Sequence, residues 1–225
     1  MPLSVTERIS IQVSLSGYSF TLRPSGRRSP WLSPESIFSS KELSQSYDSV
    51  EISLLTPKCT LIPSKFFDSE TGRAALADVC PLDPEDKVSY VEIPSIDAVL
   101  VYSLSIGETL SGVISKMVLQ KDGSQAPVLP EMYYLIQAIG ERKEYNRIIA
   151  SFRDGHLYLV IAQGRTLRLA NVFDAQDFTT AEYFIFLSMK SLQLNPEVST
   201  ISFRTPVTAE EEISLCRYFK AVEMI

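Results

Sequence analysis

Two stretches of regular alternation organise the chain. In RISIQVSLSGYSFTLR, Ile9, Ile11, Val13 and Leu15 alternate with Ser10, Gln12 and Ser14; beyond Ser16-Gly17, Tyr18, Phe20 and Leu22 alternate with Ser19, Thr21 and Arg23. A period of two marks a strand with one face in the core, so this stretch predicts a hairpin turning at Ser16-Gly17 with one face buried. In YNRIIASFRDGHLYLVIAQGRTLRLANVF, Ile148, Ala150 and Phe152 alternate with Ile149, Ser151 and Arg153. Asp154-Gly155 then turns into the apolar run LYLVIA, and Gln163-Gly164 turns again into TLRLANVF. Asp-Gly between apolar runs is hairpin chemistry, because a tight turn here needs positive φ. The stretch predicts a three-stranded antiparallel meander whose middle strand is buried on both faces.

After the second meander the pattern becomes helical. Thr179 with Glu182 forms a capping box ahead of YFIFLSMKSL, whose apolar residues surround most of the helix and predict a sandwiched position. The helix stops before Asn195-Pro196, and Val198 to Arg204 alternates as a strand. A second box, Thr208 with Glu211, opens a last helix carrying Ile213, Leu215, Cys216 and Phe219, ahead of a terminal strand, AVEMI. The second half thus reads β-β-β-α-β-α-β.

The first half reads as the hairpin, a Pro- and Ser-rich connection from Pro24 to Ser40, a short helix from Lys41 to Ser46, and the strand VEISLLT. Then follow CTLIPSKFF, a helix in DSETGRAALADV with Asp68 as N-cap, the loop PLDPEDK, and the strands VSYVEI and AVLVYSL. A helix from Gly107 to Met117 and another with Pro130 in its first turn, running through MYYLIQAI, lead to the connector GERKEYN. Two β-β-β-α-type units flank a middle segment.

Composition narrows the function classes. A chain of 225 residues with 45% hydrophobic content can bury a substantial core. Its 21 basic and 27 acidic residues give a net charge of -6, which opposes the phosphate contacts that carry most nucleic-acid affinity. Cys59, Cys80 and Cys216 match no metal-ligand spacing and no disulfide framework, which predicts free thiols in a reducing cytoplasm. The N-terminal MPLSVTERISIQVSL lacks a basic-then-apolar signal pattern, and no apolar run approaches the ~20 residues of a membrane span. The expectation is a cytoplasmic protein without membrane insertion.

The stretch FRDGHLYLVIAQGRTLRLANVFDAQDFTTAEYFIFLSMKSLQLNPE resembles an uncharacterised bacterial family of domains of unknown function. That family in turn resembles the actin-like pilus-assembly M protein and the cytoplasmic domain of the type II secretion L protein. The resemblance implies an α/β fold with mixed sheets: duplicated ribonuclease-H-like lobes in the actin-like ATPase arrangement. Residues 1–140 would form the first lobe with an inserted middle segment, and residues 141–225 the second. In that superfamily both hairpin turns hold phosphate: a strand-end Asp organises the magnesium ion, and glycines let backbone N–H groups approach the nucleotide.

This sequence departs from that pattern at both turns. Ser14 stands where the first Asp is expected, and Ser16-Gly17-Tyr18 replaces glycine followed by small hydroxyl residues. The second turn carries a single glycine, with Ser151 or Phe152 at the strand end and Asp154 inside the turn. ATP hydrolysis therefore does not carry over residue by residue. A ribonuclease-H-like nuclease needs an acid on its first central strand, and neither ISIQVSL nor IIASF has one.

The remaining features have structural explanations. Arg153-Asp154-Gly155-His156 holds the chain's sole histidine, yet one His and one Asp are too few for a metal site, and hairpin geometry explains the Asp-Gly pair. Arg23, Arg27 and Arg28 read as a solvated, mobile loop. Asp83, Glu85 and Asp86 read as a solvated Pro-punctuated loop, and Glu210, Glu211 and Glu212 as first-turn acids favoured by the helix dipole. Tyr133, Tyr134, Tyr183, Phe184 and Phe186 read as packing surface. The expectation is a non-catalytic actin-like scaffold with no cofactor, binding a protein or peptide in an interlobe cleft lined by the turns around Gly17 and Gly155. The pilus and secretion relatives dock a short segment of a membrane partner, which is the source of the peptide expectation. The alternative is a residual nucleotide-binding switch or weak ATPase using Ser14, Ser16, Gly17, Asp154, Gly155 and His156.

Overall fold

The computed structural model describes residues 6–105 and 107–225, so the residues MPLSV of the N-terminal reading lie outside it. The elements run β1 (Arg8–Ser14), β2 (Gly17–Arg23), β3 (Ser49–Leu54), β4 (Cys59–Pro63), α1 (Gly72–Ala77), β5 (Val88–Ile93), β6 (Ala98–Ser103), α2 (Glu108–Met117) and β7 (Val128–Pro130). They continue with α3 (Glu131–Glu141), β8 (Asn146–Arg153), β9 (His156–Gln163), β10 (Thr166–Asp174), α4 (Phe178–Ser191), β11 (Thr200–Phe203), α5 (Ala209–Cys216) and β12 (Ala221–Met224).

The strands form three sheets, ordered β2-β1-β3-β7, β10-β9-β8-β11-β12 and β4-β6-β5. One topology occurs twice. β1 pairs antiparallel with β2 and parallel with β3, which pairs parallel with β7. In the same way β8 pairs antiparallel with β9 and parallel with β11, which pairs parallel with β12. The third meander strand is β10 in the later copy. In the earlier copy its place beside β2 is taken by Arg28–Leu32, a strap joined at the bridges Thr21–Arg28 and Tyr18–Leu32. The small sheet β4-β6-β5, with α1, is inserted between β3 and α2. This is the mixed α/β, duplicated arrangement that the alternation and the resemblance led us to expect.

Three clusters make most of the core. Ile9, Ile11, Val13 and Ile52 pack under α2 through Ile114. Ile148, Leu159, Ile161 and Ile201 pack under α4 and α5 through Ile185, Met189 and Leu215. The opposite face of the second sheet, with Ile149, Tyr158 and Val160, meets α3 through Met132, Leu135, Ile136 and Ile139, and the same cluster takes in Ile93 and Leu100 of the small sheet. β9 is buried on both faces from Leu157 to Ala162, as its unbroken apolar run predicts. Each such side chain contributes about 1.5–3 kcal/mol.

Several local expectations are corrected. The first hairpin turns at Leu15-Ser16, and Gly17 already begins β2. β1 is buried on both faces, because Gln12 and Ser14 lie inside polar contacts made by other elements. Lys41 to Ser46 forms turns, and the helical piece is a 3-10 helix at Pro34–Ser39, where proline fits the first position. Helix α1 starts at Gly72 behind Thr71, while Asp68 accepts the Glu70 N–H in the preceding turn. Helix α4 is capped by Asp177, whose carboxylate accepts the Thr180 N–H at 2.7 Å, so the Thr179–Glu182 box does not form. A carboxylate at this position also meets the positive end of the helix dipole. Only Ala181, Ile185, Ser188 and Met189 of α4 are buried, and Tyr183 is 60% exposed, so the helix covers one sheet and is not sandwiched. The Thr208–Glu211 box forms as predicted.

Candidate functional site

The two hairpin turns meet. The Ser16 N–H donates to Asp154 Oδ2 at 3.2 Å, and the Ser14 and Ser16 hydroxyls are 3.2 Å apart. Trp31, carried on the strap, donates its indole N–H to Ser16 Oγ at 3.0 Å, and Arg153 Nε donates to the same oxygen at 3.2 Å. The Arg153 guanidinium lies 4.5 Å over the Trp31 ring and 3.3 Å from Asp154 Oδ1. Burial raises the Asp154 carboxyl, but hydrogen bonds from Ser14 and Ser16, together with the Arg153 charge, outweigh it and hold the group below the ordinary carboxylate value.

Backbone geometry explains why these residue types stand here. Asp154 and Gly155 have φ of 51° and 75°, the type I′ pair that a two-residue hairpin loop favours. Gly17 has φ of 140°, and a Cβ built there would lie 1.9 Å from the Leu32 carbonyl oxygen. The glycine therefore admits the strap and Trp31 against the turn.

Behind the turns lies a polar junction. Glu131, at the start of α3, is 0% exposed and binds groups from both large sheets. Gln12 Nε2 and Ser151 Oγ donate to its Oε1 at 2.9 and 2.6 Å, Ser53 Oγ donates to its Oε2, and Arg204 Nη1 lies 3.3 Å from that second oxygen. Arg204 also donates to Ser10 Oγ at 3.1 Å and stacks over Tyr134 at 5.0 Å. With both oxygens engaged and no exposure, Glu131 works as a tie between sheets and not as an acid reaching a substrate. Sequence reasoning missed it. No local signal marks it: Gln12, Ser53 and Ser151 are buried polar residues in strands that carry other polar residues as well, so only the packing distinguishes them.

An open cleft of about 580 Å³ lies between the small sheet and the second large sheet, within the size range of ligand sites. β4 and Leu100 form one wall, β10 and His156 the other, and Met132 of α3 the floor. Lys58 at its rim is held by Asp83 and Asp86 at 3.2 and 2.6 Å. Burial pushes the Cys59 thiol up to about 12, with Cys80 adding to the shift, so the thiol stays protonated and unreactive near neutral pH.

The structure brings Ser14, Ser16 and Asp154 into direct contact, with Gly17 beneath the strap and Gly155 bonded through its carbonyl to the Ala175 N–H at 2.8 Å. It separates His156 from that group: its Nε2 sits 3.6 Å from Asp174 Oδ1, on the cleft wall. The cleft expected between the two turns is therefore corrected: the open cleft lies between β4 and β10, and neither Gly17 nor Gly155 lines it. Two solvated-loop readings are corrected. Arg28 is bridged to Thr21 and Arg27 pairs with Glu42 at 2.8 Å, so the basic run is bound to β2. Asp86 is 6% exposed and takes bonds from Lys58, the Asp83 N–H and Ser103, which hold its carboxyl well below the usual range. Among the described residues no group of His, Cys, Asp and Glu is arranged to hold a metal ion, and no helix is long and apolar enough to cross a membrane.

The family described as protein of unknown function, DUF3822, matches residues 6–222. The chain belongs to that family. No curated protein matches it. Among solved structures, it is similar to a Bacteroides thetaiotaomicron protein with an actin-like ATPase fold and unknown function. The two share 17% identity at a TM-score of 0.63, over 99% of this chain and 91% of the other. A likeness at that identity shows the fold alone, and the fold is actin-like. Lower similarities reach the PilM-PilN type IV pilus biogenesis complex, at 10% identity, TM-score 0.46 and 98% and 88% coverage, and an Aquifex aeolicus Ppx/GppA phosphatase, at 11%, 0.34 and 88% and 67%. Neither bears on what this family member does.

Proposed function

We propose that this DUF3822 protein is a non-catalytic actin-like scaffold that binds a protein or peptide partner in the cleft between β4 and β10. The carrying observation is the contact between the hairpin turns. Ser16 and Asp154 bond to each other under Trp31 and Arg153, where an actin-like ATPase would hold phosphate, while a larger cleft beside them stays open. The first lobe comprises residues 1–140 with the small sheet as its insertion, and residues 141–225 form the second; the end of α3 at Glu141 supports this division. The free thiols Cys59, Cys80 and Cys216 favour a cytoplasmic setting.

Thermal unfolding with millimolar ATP, ADP or GTP, with and without magnesium, tests the reading. A nucleotide at 100 times its Kd would stabilise the fold by about 2.7 kcal/mol. The expected result is no stabilisation and no phosphate release. Micromolar binding of ATP with hydrolysis would overturn the scaffold reading.

A further inference from the structure

We infer that the occupant of the cleft is an extended segment of a partner protein that adds as a strand to the open edge of β10. The inference rests on the cleft being the binding site. Successive strand residues point to opposite faces, so a cleft that sees only one face is lined by every second residue. This cleft is lined by consecutive residues on both walls, Cys59 to Leu61 on β4 and Ala170 to Val172 on β10. It therefore lies against strand edges, and β4 and β10 are each the edge strand of their sheet.

The backbone groups of β10 follow from its register. The Ala175 N–H donates to the Gly155 carbonyl, and antiparallel pairs alternate between hydrogen-bonded and non-hydrogen-bonded. Phe173–Leu157 and Asn171–Leu159 are then the bonded pairs. Ala170, Val172 and Asp174 consequently aim their N–H and C=O groups away from β9, and among the described residues these groups have no backbone partner. The far end of the strand is protected differently: a bulge at Arg168, between Leu167 and Leu169, with Arg165 just before the strand, disfavours pairing there. The other edges are shorter or covered. The β2 edge bonds to the strap through Tyr18 and Phe20 and to Gly26 and Arg27 through Leu22, β7 has 3 residues and β12 has 4, whereas β10 has 9.

The walls also set the chemistry of the occupant. Lys58 is neutralised by Asp83 and Asp86, and Cys59, Leu61, Met132 and Val172 present apolar surface. An uncharged strand with apolar residues at alternate positions fits: main-chain bonds to β10 would supply affinity, and alternate side chains in the cleft would supply selectivity.

The test uses the full chain and a panel of N-acetylated, C-amidated six-residue peptides alternating Val, Ile, Leu or Phe with Ser, Thr or Gln, read by fluorescence polarisation. The tightest binder is carried into two variants. Thr60→Trp fills the cleft from β4, and Val172→Pro removes one outward N–H while sparing the bonds to β9, a change an edge strand tolerates. We expect Thr60→Trp to abolish binding and Val172→Pro to weaken it about tenfold, because one main-chain hydrogen bond to the added strand is lost. Should Val172→Pro fail to fold, N-methylation of the peptide at alternate amides gives the same readout, with loss in one register and retention in the other. Binding lost with Thr60→Trp but kept with Val172→Pro and with every N-methylated peptide overturns strand addition and leaves the cleft reading standing. Binding indifferent to Thr60→Trp overturns both, and a panel without binders overturns strand addition.

Discussion

The strap Arg28–Leu32 and strand β10 occupy the same place in the two repeats of the sheet topology, beside the second strand of a hairpin, and do opposite things there. The strap bonds to β2 at Tyr18 and Phe20 and covers that edge. It also delivers Trp31 onto the neighbouring turn. β10 pairs with β9 along its length and leaves its outer edge open to the cleft. In one copy protein atoms close over the turn, and in the other an edge stays open that proteins usually protect. The contrast shows how a duplicated fold can present two different surfaces without any change of topology.

The largest effect should come from the element the two repeats share. Glu131→Ala would strip the junction of both carboxylate oxygens and strand Arg204 in a buried position, at a cost of about 3–5 kcal/mol. We expect a molten or insoluble protein, measured by urea unfolding; an unchanged midpoint would mean the sheets hold together without this tie.

The two turn glycines should then separate the copies. Gly17→Ala forces a Cβ against the Leu32 carbonyl from a φ of 140°, so strain and displacement of the strap add to about 3 kcal/mol. Gly155→Ala meets only the Ala175 carbonyl, at 3.8 Å, and should cost the left-handed penalty alone, about 1 kcal/mol. Equal losses would remove the basis for treating the strap as the tighter of the two contacts.

Trp31→Ala is expected to cost about 1–2 kcal/mol through the lost hydrogen bond to Ser16 and the lost Arg153 stacking. Arg153→Ala should remove part of the same energy, so the double variant should fall short of the sum in a mutant cycle. Additive losses would show that the two side chains act separately.

The smallest effect concerns Asp154 and depends on pH. Its folded pKa is depressed, so its contribution is present above the unfolded carboxylate value of about 3.9 and disappears as pH falls through the folded value. Asp154→Asn, which keeps the tolerated positive φ, should be less stable than the parent at pH 7, and the gap should narrow as pH falls below the ordinary carboxylate value in acid titration of the two unfolding midpoints. A gap that does not change with pH would assign the loss to the turn backbone.

Much of the fold was legible in the sequence because it depends on local pattern. The alternation through Ile9–Val13, the apolar run Leu157–Ala162, the Asp154-Gly155 turn and the Thr208–Glu211 box each encode their element within a few residues. The cap of α4 was misplaced because Thr179 and Asp177 are both good caps, and the choice depends on where the preceding strand delivers the chain. The site was legible only by difference, as missing acids and glycines at the turns.

Sequence alone therefore determined the duplicated hairpins and the residues that stand at their turns, Ser14 and Ser16 in the first and a single glycine in the second, since both are properties of neighbouring residues. It could not determine that Ser16 meets Asp154, 138 residues away, or that Glu131 gathers Gln12, Ser53, Ser151 and Arg204. Nor could it place His156 on a cleft wall opposite Cys59. Those are long-range contacts made by short polar side chains with no periodicity of their own. They exist only because the packing of the two large sheets against α3, and of the small sheet against that layer, brings distant strands together.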